Sequence, residues 1–65
     1  LTPVAIRAAR DKLGLSQAGL ARVLGYGAAV RVSELERGAR EPSEAVTRLL
    51  RAYLDGYRPD DWPVA

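Results

Sequence analysis

Neither cysteine nor histidine occurs among the 65 residues of this chain. Their absence excludes disulfide bridges and removes the thiolate and imidazole ligands on which structural zinc sites are built. No metal and no cofactor is expected. The usual general base and the usual thiol nucleophile are missing for the same reason. Ser16, Ser33 and Ser43 have no base beside them, and the carboxylates are scattered over capping and helix-surface positions. So short a chain also has little room for a pocket, so neither an enzyme nor a small-molecule substrate is expected. Long apolar runs are lacking too. Nothing approaches the roughly 18 to 20 residues that span a bilayer, and no basic-then-apolar leader stands at the start. The expectation is a cytoplasmic location and no membrane partner.

Charge of one sign is in small excess, with 10 basic and 8 acidic groups for a net +2. Its distribution is uneven. Residues 1–40 hold seven basic groups (Arg7, Arg10, Lys12, Arg22, Arg31, Arg37, Arg40) against three acids (Asp11, Glu34, Glu36), which leaves +4. Residues 41–65 hold three basic groups against five acids, which leaves −2. A basic end is the electrostatic footprint of phosphate binding and an acidic end one that faces away from it, although an ordinary solvated surface accounts for the same split. A single domain this small buries only about 60% of its unfolded surface, so a second subunit is an expected source of stability.

What is present is an all-α pattern. Thr2-Pro3 is an N-cap and first-turn pair, and Val4 to Leu13 sets Ile6, Ala9, Arg10 and Leu13 on one stripe before Gly14 ends the helix. Ser16 caps a second helix, Gln17 to Leu24, with Leu20, Ala21 and Leu24 inward and Gly25 at its C-terminus. Tyr26-Gly27-Ala28 reads as a turn, and a third helix is predicted from about Ala28 to Arg37, ended by Gly38. Pro42-Ser43 opens a fourth, with Glu44 in its first turn and Val46, Leu49, Leu50 and Tyr53 as its stripe up to Asp55-Gly56. In the proline-rich tail, Pro59-Asp60-Asp61 can open one further turn. Residues 1–56 are read as the domain proper and 57–65 as a tail. A helix, a tight turn and a second helix at the spacing of Leu13 to Pro42 is the geometry that lays one helix in the DNA major groove.

A helical wheel adds a pairing. With about 100° per residue, Ala28, Leu35 and Glu36 fall within about 60° of Val32, whereas Val30, Glu34 and Arg37 lie on the far side. Glu36 therefore points inward, as does Arg10 on the first helix. Two unpaired buried charges would cost several kcal/mol each, so the economical arrangement is a hydrogen-bonded Arg10–Glu36 pair. The alternative is that Arg10 extends its head to solvent past the helix edge.

The run Ile6-Arg7 with Arg10, then Leu13-Gly14-Leu15-Ser16-Gln17, Leu20-Ala21, Leu24-Gly25, Leu35-Glu36-Arg37-Gly38 and Pro42-Ser43, closely resembles the Cro and phage-repressor (XRE-like) helix-turn-helix. The resemblance covers Ile6 to about Leu54. It implies a lambda-repressor-like bundle of four or five helices with the third as recognition helix, Gln17 on a backbone phosphate, and Arg10 paired with Glu36 beneath the motif. Carried over position by position, the residues that touch bases fall on Ala29, Val30, Arg31 and Glu34. Arg31 suits guanine, Glu34 the amino group of cytosine and Val30 a thymine methyl. Two departures stand out: one residue more than usual between Leu24-Gly25 and Leu35-Glu36, and no serine or threonine cap before the third helix.

Other residues keep two readings each. Gln17 also suits an exposed first helical turn, and Arg37 and Arg40 fit phosphate contacts or merely complement a helix C-terminus. Gly19 inside the second helix costs up to about 1 kcal/mol against alanine; it serves a close approach to the first helix or to DNA, or nothing. Leu54, Tyr57, Trp62 and Val64 have few intrachain places to go, and two readings stand side by side: a dimer interface, or a core-capping tail in which Tyr57 and Trp62 cover the core, with Trp62 folded back over the first and fourth helices. The function expected is sequence-specific binding of double-stranded DNA by a homodimeric bacterial or phage transcriptional regulator, a repressor among the possibilities; the alternative is a protein-interaction or antitoxin-like module on the same fold.

Overall fold

Local capping sets three of the four helix starts. In the computed structural model, which describes residues 1–63, α1 (Pro3–Leu13) begins where Thr2 Oγ1 accepts the Ala5 N–H at 3.1 Å. Ser16 Oγ accepts the Gly19 N–H at 3.0 Å to start α2 (Gln17–Leu24), and Ser43 Oγ accepts the Val46 N–H at 3.1 Å to start α4 (Glu44–Leu54). Each hydroxyl satisfies one of the N–H groups that a helix start leaves without a partner. At the end of α2, Gly25 takes φ +85, a left-handed conformation that a side chain would oppose, and the Tyr26 N–H reaches back to the Ala21 carbonyl at 2.9 Å. That reversal aims the chain into the turn of the helix-turn-helix.

The third helix, α3 (Val30–Arg37), begins two residues later than its sequence predicts. Ala29 precedes it with no side-chain cap, and the entry is a tight turn in which the Arg31 and Val32 N–H groups bond the Ala28 and Ala29 carbonyls at 3.2 and 3.0 Å. Ala28 consequently lies outside the helix and is exposed, not inward as the wheel places it, because the wheel's phase holds only for residues inside the helix.

α1 and α2 each pack against both α3 and α4. Ile6, Leu20, Val32, Leu35 and Leu50 are fully buried, at least one from every helix, and each contributes roughly 1.5–3 kcal/mol by leaving water. The bundle has four helices among the described residues. The tail adds a single turn, closed by the Trp62 N–H on the Pro59 carbonyl at 3.1 Å, and no fifth helix.

Tyr53 anchors the tail to this core. Its hydroxyl donates to the buried Val23 carbonyl, and burial raises its pKa above the ordinary phenol value. Trp62 stands edge-on to its ring at 5.1 Å and Tyr57 stacks on it at 5.9 Å. Arg58 locks the arrangement: Nη1 donates to the Tyr53 and Tyr57 carbonyls, both at 2.8 Å, and the guanidinium lies 4.2 Å over the Trp62 ring. Leu54 and Trp62 are thus seated against the chain's own core, which agrees with the core-capping reading of Trp62 and corrects the expectation that these groups have few intrachain places to go. Tyr57 is the member left exposed, and Val64 lies outside the described residues.

Two outcomes test this. Tyr53→Phe should lower stability by about 1–2 kcal/mol, because the Val23 carbonyl stays buried without its donor; denaturant unfolding measures it, and an unchanged midpoint contradicts the bond. Arg58→Ala should red-shift the emission of Trp62, the chain's single tryptophan, with helix content retained. An unshifted spectrum means that Arg58 does not hold the tail.

Candidate nucleic-acid interface

One face of α3 packs into the core and the other meets solvent. Val32 and Leu35 are buried on the first, while Val30, 51% exposed, and Arg31 and Arg37 stand on the second. Beneath the helix, Glu36 takes the place of an apolar residue. Its side chain is 6% exposed and that of Arg10 14%. Arg10 Nε donates to Glu36 Oε2 at 2.6 Å and Nη2 to Oε1 at 3.2 Å, a two-pronged pair joining α1 to α3. Arg10 Nη1 also donates to the Leu15 carbonyl at 3.1 Å, so the pair fastens the α1–α2 connection as well. The hydrogen bond from Arg10 holds the Glu36 carboxyl below the ordinary carboxylate range, and the same bond raises the Arg10 pKa.

Gln17 belongs to this network. Its Nε2 donates to Glu36 Oε1 at 3.2 Å, so its amide faces the buried carboxylate, with α2 tied to the same group as α1 and α3. Arg7, a residue given no role above, adds its charge to the stabilisation of the Glu36 carboxylate. It sits three residues before Arg10, and that spacing is the signal by which it could have been found.

On the exposed face, Glu34 Oε1 accepts from Arg31 Nη1 at 2.9 Å and from Arg40 Nε at 3.1 Å. These bonds, from Arg31 first and Arg40 second, hold the Glu34 carboxyl below its ordinary range. Arg37 Nε makes a long 3.4 Å bond to Ser33 Oγ. Ala29 is half-buried at the mouth of the turn. The sequence-predicted base and phosphate residues of α3 and its exit, namely Val30, Arg31, Glu34, Arg37 and Arg40, therefore lie on one helix face and the loop after it, whereas Gln17 enters from the start of α2. Missing from the sequence reading was the contact of Glu34 with both arginines: the Arg31 spacing of three residues is legible, but Arg40 reaches back only because Gly38 reverses the chain.

Gly19 has a close neighbour, but not α1. A Cβ there would lie 3.3 Å from Ser16 Oγ and 3.4 Å from Pro63 Cγ. The close approach is to the tail, at Pro63.

Breaking the buried pair from one side should be costly. Arg10→Met should lower stability by about 3 kcal/mol by leaving Glu36 buried and unpaired, and Arg10→Met with Glu36→Leu should recover most of it. Additive losses in the double variant would show that the two side chains do not interact. Because the folded-state pKa of Glu36 lies below its unfolded value near 4.5, its contribution is present above that pH and lost as the pH falls through the lower folded value. Glu36→Gln should therefore unfold with a shallower acid dependence than the unmodified chain.

No match was found among curated proteins or among solved structures. The family model described as Helix-turn-helix matches residues 6–62, from the first turns of α1 to the tryptophan that closes the tail onto the core. The chain belongs to the helix-turn-helix family of the Cro and phage-repressor type, a family of DNA-binding regulators.

Proposed function

We propose that this chain binds double-stranded DNA sequence-specifically, as the recognition module of a small bacterial or phage transcriptional regulator acting in the cytoplasm, and that it is not an enzyme. The observation that carries the reading is the outward face of α3. No other helix covers it, and Val30, Arg31 and Arg37 project from it with Arg40 alongside. Laid in the major groove, this face presents Arg31 to guanine O6 and N7 and Val30 to a thymine methyl, with Ala29 close to the bases at the helix mouth. Arg37 and Arg40 are positioned for phosphates, and Gln17 stands in the first turn of α2, where N–H groups without intrahelical partners favour a phosphate oxygen.

Two copies reading successive turns of the groove, about 34 Å apart, would double this contact. A second subunit would also supplement a small core. The exposed Tyr57 ring and the partly buried Leu54 are the surface proposed for pairing, and Trp62 contributes only from its position on the core.

A random 20-bp duplex should bind at low salt. Arg37→Ala and Arg40→Ala should each weaken binding to every sequence and flatten the dependence of log K on log salt by about one unit. Unchanged affinity in both variants would turn the reading to a protein partner on the same fold. Sedimentation with and without a selected duplex tests the pairing: a chain that stays monomeric throughout overturns it.

A further inference from the structure

Glu34 sits badly with a face that only has to attract phosphate. Its side chain is 24% exposed, between those of Arg31 and Arg40 at 44% and 46%, and it cancels one of the positive charges beside it. A carboxylate there lowers attraction to any duplex. What it can raise is the difference between one duplex and another.

The bonding pattern shows how. Arg31 uses Nη1 on Glu34, which leaves the edge formed by Nε and Nη2 free, and that edge is a two-donor fork matched to guanine O6 and N7. Arg40 uses Nε, which leaves both Nη groups free for a phosphate. One carboxylate oxygen thus holds one nitrogen of each of two guanidinium groups and leaves each a two-donor edge. Fixing a flexible arginine before binding removes an ordering cost from the contact that fits its held orientation. A contact that needs another orientation must first break a charge-assisted hydrogen bond.

We propose that Glu34 is a positioning residue for recognition: it touches no base, orients Arg31 and Arg40, and penalises binding to sequences that do not match their held orientation. This rests on the DNA-binding reading above. It takes the place of the direct Glu34–cytosine contact expected from the sequence, which would have to use Oε2, the oxygen that neither arginine engages.

The test uses the intact chain. Binding-site selection supplies a preferred duplex, and affinities for it and for a random 20-bp duplex are measured over a salt series for the unmodified chain and for Glu34→Gln. Random-duplex affinity should rise about threefold to tenfold, with a salt slope steeper by up to about one unit as a freed guanidinium reaches a phosphate. Affinity for the selected duplex should rise less or fall, so that the ratio of the two shrinks about tenfold, within the range one bidentate guanine contact carries. Without DNA, the Arg40 Nε–H should exchange faster in the variant than in the unmodified chain, while the melting temperature stays within a few degrees, as befits a surface position. An equal change in both affinities would reduce Glu34 to its net charge and overturn the proposal. So would a loss confined to the selected duplex with the Arg40 Nε–H exchange unaltered, which would make Glu34 itself a base contact. Failure of the unmodified chain to bind any duplex would sink the DNA-binding reading and this proposal together, a result distinct from either of the others.

Discussion

The hydrogen bonds that tie α3 to both α1 and α2 converge on the carboxylate of Glu36. It accepts from Arg10 of α1 and Gln17 of α2 while sitting on α3, and Arg10 bonds the Leu15 carbonyl in the connection between the first two helices. Apolar contacts are non-directional and by themselves say little about the rotation of a helix. A part-buried, bidentate ion pair fixes that rotation more tightly, because its hydrogen bonds are directional and its charges have no second place to go. No buried side-chain nitrogen or oxygen among the described residues lacks a partner. The pair therefore acts as a register pin, and the orientation of the exposed face of α3 is referred to it.

The two acidic residues of α3 do opposite things two positions apart. Glu36 faces inward and joins helices; Glu34 faces outward and joins two surface arginines. Helical phase alone separates them, since two residues is about 200° around the axis. A shift of that phase by one residue would exchange a buried pair for a buried solitary charge. The late, uncapped start of α3 is tolerable for this reason: its phase is held from its C-terminal half, where Glu36 and the turn after Gly38 lie, and not from its first turn.

The tail gains its order from a different kind of contact. Its hydrogen bonds to α4 come from the Arg58 guanidinium on the Tyr53 carbonyl and the Tyr57 N–H on the Ala52 carbonyl, and its aromatic contacts from Tyr57 and Trp62 on the Tyr53 ring. By reaching Gly19 on α2 it spans from the end of the last helix to the start of the second, so a segment rich in proline and aspartate covers part of the bundle without forming a helix.

Most of the fold is legible in the sequence because it is set locally. The hydroxyls of Thr2, Ser16 and Ser43 and the glycines after three of the helices act on backbone groups within a few residues, so the bounds of α1, α2 and α4 can be read without knowledge of the rest. The inward phase of Arg10 and Glu36 is legible too, since helical periodicity needs no tertiary information. The start of α3 was not, because no side chain caps it and a lengthened turn leaves its phase to packing. Nor were the turn of Gln17 toward Glu36 or the double hold of Glu34 on Arg31 and Arg40, and the return of Trp62 was one of two readings between which the sequence could not choose. Each joins atoms whose separation depends on how helices cross and where a loop reverses. The sequence alone determines which helices form and which faces they bury; the tertiary structure decides which polar groups those faces bring within hydrogen-bonding distance, and with it the chemistry the exposed face of α3 can present.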